Sequence, residues 1–366
     1  MGALQHMDSL DVPPRQVACR RCAQRAPAAE GPGTLFVRLP EPAEAHAGRV
    51  IAALRAIDCK AYPYGPMLAL DIRSADLHAP LDVVQSQLRA SERDATRVAF
   101  RAAGRELSLS DAIAAETITT FQARLSGGWL HERIASNELS IGLSAVVRAS
   151  GARRGYGWSC EVTARGARGE RVGAQRLAAI ALASSQACPF DHAARVAALA
   201  AAAARKVSGA LFVDLAAHVA EQPCAMLDAT LREAERHGIA RERIVLCISG
   251  GAAVADPAAL AAALDPFRRL GLRVALDGVG SGYGSLNLLR ALWPDFVRLD
   301  ASLVEQVERD QVRAVLVEKL VEASSAIGIR TLAGRVQTEA EAAWLSAHGI
   351  DYLQGPLFDA RSGRER

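Results

Sequence analysis

From about Trp129 onward the chain alternates short apolar runs with segments of helix length. The runs fall at 211–215, 244–248, 273–277, 296–300, 330–333 and 352–354, and the helical stretches near 173–184, 191–206, 224–237, 256–270, 302–326 and 337–347. This alternation constrains the fold strongly, because parallel strands need long crossovers and a helix is the usual one. Two further runs, 139–147 and 156–163, flank a Gly/Arg-rich turn and read as a hairpin. Hairpin and six βα units together give eight strands. The expected fold is α/β, a modified TIM (β/α)8 barrel. Barrels of this kind gather their chemistry at the strand C-termini, and Asp214, Asp277 and Asp300 stand at such ends.

Upstream the pattern is shorter. Residues 1–17 are polar, hold Pro13-Pro14 and read as a flexible tail. Residues 18–128 read as a smaller α/β module, with strand-like runs at 35–39, 68–72 and 97–100 and helical stretches at 48–56, 80–88 and 110–125. The barrel is expected over 129–366. Among seven cysteines only Cys19 and Cys22 form a CxxC. A structural zinc site needs four ligands, and no second CxxC or HxxxH follows. The pair is either inert or a zinc or redox site completed elsewhere. The odd cysteine count fits free thiols in a reducing compartment.

A net charge of +3 is too small to argue for nucleic acid or a membrane surface. No apolar stretch approaches the ~18 residues of a membrane span. The start of the sequence carries no apolar signal core, so a cytoplasmic protein is expected.

The motifs sharpen the reading. Leu276-Asp277-Gly278-Val279-Gly280-Ser281-Gly282-Tyr283-Gly284-Ser285-Leu286, followed by Phe296-Val297-Arg298-Leu299-Asp300, resembles the heart of an EAL domain, the fold of cyclic di-GMP phosphodiesterases. The family writes these segments D-D-F-G-T-G-Y-S-S-L and K-I-D. Its E-A-L-L-R aligns with Glu161-Val162-Thr163-Ala164-Arg165, its I-N-L with Val213-Asp214-Leu215, and its L-E-I-T-E with Leu246-Cys247-Ile248-Ser249-Gly250. Its A-E-G-V-E-T aligns with Ala333-Gly334-Arg335-Val336-Gln337-Thr338, and its Q-G-Y-L-F with Gln354-Gly355-Pro356-Leu357-Phe358. A Gln of the opening strand is replaced in Ser144-Ala145-Val146.

The resemblance implies a site for two divalent ions that activate water and clamp an in-line displacement at phosphorus. Glu161, Asp214, Asp277 and Asp300 occupy ligand positions. Cys247 and Gly278 stand where ligand carboxylates are lost, and a thiol suits Mg²⁺ or Mn²⁺ poorly. Gly334 stands at the general-base position, and Arg298 at that of a Lys beside the attacking water. No cofactor is therefore expected; Mg or Mn would enter only a rebuilt site. Glu161, Arg165, Arg298, Asp300, Arg335 and Gln354 are the ligand-binding candidates. Arg298 and Arg335 can either neutralise carboxylates or grip phosphates.

Three functions stay open. The first is a catalytically inactive, EAL-like regulatory protein in cyclic di-GMP-related signalling that works by binding another protein. The second is a cyclic di-GMP receptor that does not hydrolyse. The third is an active phosphodiesterase yielding linear pGpG. The segment 302–326 resembles the dimer-forming side of the family, so a homodimer is expected.

Overall fold

The computed structural model describes residues 31–73, 77–105, 108, 111, 115–125, 127–151, 153–167, 169–217, 225–249, 254, 256–280 and 284–362. The tail 1–17 and the Cys19/Cys22 pair lie outside the described residues. The described residues divide into two compact units: one holds 139–163 and the chain from Asp191 onward, and the other holds 31–138 together with Ala164–Phe190. Within that second unit the helix Ala174–Ala183 packs against the helix Ile118–Leu125.

The smaller unit contains a five-stranded antiparallel sheet. Its strands are β1 (Gly33–Arg38), β2 (Lys60–Tyr64), β3 (Met67–Ile72), β4 (Arg97–Ala102) and β5 (Glu116–Thr117), in the order β2-β3-β1-β4-β5. The central strand β1 pairs with β3 and β4. Leu35, Val37, Leu68, Leu70 and Val98 form a core with Val50, Leu54, Leu81, Val84, Ile118 and Phe121 from the covering helices.

The larger unit carries the barrel. Its strands are β6 (Ser140–Arg148), β7 (Gly155–Arg165), β9 (Ala210–Ala216), β10 (Ile244–Ser249), β11 (Arg273–Val279), β12 (Phe296–Leu299), β13 (Arg330–Ala333) and β14 (Tyr352–Gln354); the short β8 (Arg171–Gly173) belongs to the smaller unit. The order β6-β14-β13-β12-β11-β10-β9-β7 closes on itself through an antiparallel β6–β7 pairing. Only β6 runs against its neighbours; the remaining barrel pairings are parallel. The fold is thus the expected modified TIM barrel with a smaller α/β module.

Local chemistry sets the element ends. Five of the six residues of β10 are fully buried, as a strand covered on both faces requires. Asp256 caps the helix Pro257–Arg269, with proline at its first position. Asp310 accepts from the Val312 and Arg313 amides and starts the helix Gln311–Ala326. The single helix expected over 302–326 is therefore two, Ala301–Val304 and Gln311–Ala326, each opened by its own aspartate cap. Thr338 and Glu341 form a capping box on Glu339–Ala347.

The barrel interior is packed in layers. Toward the strand N-termini, Tyr156, Phe212, Phe296 and Tyr352 stack with ring centroids 4.2–6.3 Å apart. Val146, Val245, Ala275 and Leu332 fill the same cluster. Above this plug the interior turns polar, and the candidate site sits at the C-terminal mouth. Among the described residues no helix is long and apolar enough to cross a membrane.

Candidate functional site

Strand ends bring the mouth together. Asp214 lies on β9, Cys247 on β10, Asp277 on β11, Arg298 on β12 and Gln354 at the end of β14. Glu161 and Ser159 share one face of β7, two residues apart.

Arg298 is the centre of this arrangement. From β12 its guanidinium crosses the barrel. Nη1 donates to Asp277 Oδ2 at 3.4 Å, and Nη2 donates to Ser159 Oγ at 3.2 Å and to Cys247 Sγ at 3.7 Å. Its side chain is only 16% exposed. Burial alone would weaken its hold on the proton. The carboxylates of Asp277, Asp214 and Glu161 and the Cys247 sulfur outweigh that and hold its pKa above the ordinary arginine value. One fixed cation thus faces three carboxylates at the strand ends.

A second network lies beside it. Gln354 Nε2 donates to Ser144 Oγ at 2.7 Å and to Glu161 Oε1 at 3.3 Å. Ser144 Oγ donates to Asp359 Oδ1 at 2.9 Å, and the Ala145 amide donates to the same oxygen at 3.0 Å. Gly355 makes the turn after Gln354 possible: a Cβ there would meet Val336 N and O at 2.4 Å.

The glycine positions shape the space. A Cβ on Gly334 would stand 3.3 Å from Gln354 Oε1 and 3.5 Å from Arg298 Cδ. The Arg298 stem and Gln354 therefore border the room that a base at 334 would use. Gly278 has φ +72°, at a break in the β11–β12 register between Leu276 and Val279.

Two of the other sequence candidates have local partners. Asp300 caps the turn Ala301–Val304, its Oδ1 accepting from Ser302 N at 2.9 Å and Ser302 Oγ at 2.6 Å. Arg165 ends β7, is exposed, and donates Nη1 to the Gly169 carbonyl at 3.3 Å. Arg335 is exposed, with φ +58°. Of Arg298's two anticipated roles, the geometry favours neutralising carboxylates. Ser159, Ser144 and Asp359 were not anticipated. Ser159 was legible through its two-residue spacing from Glu161; Asp359 meets Ser144 only through the closed barrel.

Burial is the largest influence on Asp214, Cys247 and Cys160. It pushes Asp214 up to about 7, with Arg298 pulling the other way and Asp277, Asp191 and Glu161 adding to the rise. It raises the Cys247 thiol well above its ordinary value, and the Cys160 thiol to about 12. Neither is a thiolate near neutrality.

The donors at the mouth are not the all-oxygen set that hard divalent ions prefer. A guanidinium lies against Asp277, sulfur stands at 247, and positions 278 and 334 have no side chain. Among the described residues no three His, Cys, Asp or Glu side chains converge in a metal-holding group.

A pH test follows from Asp214. Its folded pKa, about 7, lies above the unfolded carboxylate value. The folded state thus holds the extra proton between those values, and stability falls as pH rises through that window. Asp214→Asn should remove the fall. The variant is expected to match the parent near pH 4 and to exceed it at pH 8 by on the order of a few kcal/mol. Parallel pH profiles in chemical denaturation would contradict the assignment.

Comparison with known proteins places this geometry. The EAL domain family profile matches residues 128–361. The blue light- and temperature-regulated antirepressor BluF of Escherichia coli is 26% identical over 128 residues, 35% of this chain and 32% of that protein. The cyclic di-GMP phosphodiesterase PdeL of the same organism is 30% identical over 97 residues, 26% of this chain and 27% of that protein. The chain thus spans about a third or less of these curated relatives. The crystal structure of a standalone EAL protein from Vibrio cholerae, in its c-di-GMP-bound form, superposes with a TM-score of 0.51. It is 25% identical, over 59% of this chain and 89% of that one.

Proposed function

This chain belongs to the EAL domain family, and we propose that it is a catalytically inactive regulatory member, acting in cyclic di-GMP-related signalling by binding another protein. The observation that carries the reading is Arg298. Its guanidinium supplies, from within the chain, the positive charge that the mouth carboxylates would otherwise draw from metal ions. A fixed cation can balance charge, but it cannot deliver a metal-activated water. Position 334 offers no base, and a missing general base costs roughly 10²–10⁴ in rate. The likeness to an antirepressor, by its name a protein that works on a regulator, favours the same reading.

A second reading is a receptor that binds cyclic di-GMP without cleaving it. It is favoured by Glu161 and Gln354 at the mouth and by the c-di-GMP-bound state of the Vibrio cholerae relative. Isothermal titration with cyclic di-GMP, with and without Mg²⁺ or Mn²⁺, separates the two. The scaffold reading expects no heat. Heat without pGpG would replace it with the receptor reading.

The proposal includes a homodimer. On the helix Gln311–Ala326, Val312, Val315 and Leu316 share one face and are 71%, 49% and 48% exposed. Leu316→Asp is expected to shift the protein to monomer in size-exclusion chromatography with light scattering. An unchanged mass would reject this face as the interface.

A further inference from the structure

The N-terminal end of the barrel carries a second concentration of charge and apolar surface, and the mouth does not use it. Arg273 and Arg330 are the first residues of β11 and β13. Arg148 is the last residue of antiparallel β6, opposite Tyr352 at the start of β14. All three guanidiniums lie on the aromatic plug. Arg148 Cζ is 5.3 Å from the Tyr156 ring centre and 5.8 Å from that of Tyr352. Arg273 Cζ is 5.9 Å from Tyr156 and 5.6 Å from Phe296, and Arg330 Cζ is 5.1 Å from Phe296.

Stacking fixes these groups, and Arg148 and Arg330 stay exposed. Arg273 gives Nη1 to the Tyr156 hydroxyl at 2.6 Å and Nη2 to the Glu242 carbonyl at 2.8 Å, while its Nε is buried without a partner. Arg330 makes one long bond, 3.5 Å, to the Tyr352 hydroxyl. The nearby carboxylates hold backbone. Asp295 accepts from the Val274 amide at 2.8 Å, and Asp351 accepts from Thr331 N at 2.7 Å and Thr331 Oγ1 at 3.0 Å.

Trp293 stands in the loop leading into β12. It is 61% exposed and has φ +41°, a backbone region that bulky residues rarely adopt. Arg268 Nη2 donates to the carbonyls of Leu292 and Trp293 and holds the turn. Glycine or asparagine would form this turn at less cost. A strained, exposed indole adds little to the fold, and such strain concentrates at functional sites. Leu270 and Ile327, 41% and 38% exposed, stand in the loops leading into β11 and β13. These loops enter three adjacent strands, tied at their starts: Asp295 N donates to Val274 O, and Arg330 N donates to Asp295 O.

We infer that this end of the barrel docks a partner protein through an acidic segment, its carboxylates on Arg148, Arg273 and Arg330 and an apolar side chain on Trp293. Trp and Arg are the residues most enriched in interface hot spots. A nucleic acid fits worse, because guanidiniums already cover ring faces that bases would need. The inference rests on the protein-binding reading above and names the chemistry of the partner.

The test is fluorescence anisotropy of the full chain with a labelled synthetic peptide alternating glutamate and leucine. Controls carry lysine for glutamate or serine for leucine. The Glu/Leu peptide should bind, either control should bind far less, and added salt should weaken the complex. Trp293→Asn should weaken binding at least about tenfold while its Tm is no lower than that of the parent, because an exposed, strained side chain has been removed. Arg148→Ser, at an exposed position, should weaken binding similarly. Equal binding of the lysine control, or unchanged affinity in both variants, would overturn the docking face. Assay of the same preparation for pGpG keeps the two claims apart. Hydrolysis would sink the inactive reading, whereas absent peptide binding without hydrolysis would sink the docking face alone.

Discussion

Arg298→Ala should destabilise the chain by about 3–5 kcal/mol at pH 8, the range for removing one member of a buried ion pair. The guanidinium touches Asp277, Ser159 and Cys247, so its removal leaves a carboxylate and two polar groups without their donor. Asp214 loses the one charge that opposes its rise in pKa. The loss should shrink toward pH 5. Carboxylates whose folded pKa is raised are protonated there in the folded state, and stability is lost as pH rises through that window. Arg298→Lys should lose less, because an ammonium can still face Asp277 but cannot span to β7 and β10. Millimolar Mg²⁺ should raise the Tm of Arg298→Ala and leave the parent unchanged, since only the variant has carboxylates without a cation. An alanine variant as stable as the parent at pH 8 would show that Arg298 is peripheral to the mouth.

Gly334→Glu should remain without phosphodiesterase activity. Its Cβ would stand 3.5 Å from Arg298 Cδ, so the new carboxylate is placed to pair with that guanidinium rather than with water. Joining it with Arg298→Lys, Gly278→Asp and Cys247→Glu replaces the forked guanidinium by a single ammonium and restores the missing carboxylates. That combination, if folded by circular dichroism, should form pGpG in the presence of Mn²⁺, about 10²–10⁴-fold faster than the same combination with glycine kept at 334, the usual worth of a general base. Aspartate at 278 is tolerable, because it accepts the left-handed backbone found there better than most residues. Activity in the single variant would mean that Arg298 leaves the base room to work.

Much of the barrel was legible because each strand is a short buried run followed by a helix-length segment. The runs at 211–215, 244–248 and 330–333 match β9, β10 and β13 within a residue or two. What escaped had weak local signals. Strand β2 is mostly exposed and contains Pro63, which an edge strand tolerates but a sequence pattern does not reveal. Strand β5, only Glu116–Thr117, fell inside a stretch read as helix. The helix Gly284–Leu292 was not anticipated, because it follows a glycine-rich run with no helix-start signal.

The site divided in the same way. Residue identities at 161, 214, 247, 277, 278, 334 and 354 were readable one at a time. What Arg298 does with them was not, because its partners Asp277, Cys247 and Ser159 come from three different strands. Glycine at 334 likewise reads as a loss until the neighbouring Arg298 stem gives it a spatial meaning.

The most direct measurement is an incubation of the purified full chain with cyclic di-GMP and Mg²⁺ or Mn²⁺, followed by chromatography for linear pGpG. The account predicts intact cyclic dinucleotide over hours at enzyme-level protein concentrations. Steady formation of pGpG that disappears in Glu161→Ala would contradict it, and would mean that the mouth holds catalytic metal despite Arg298.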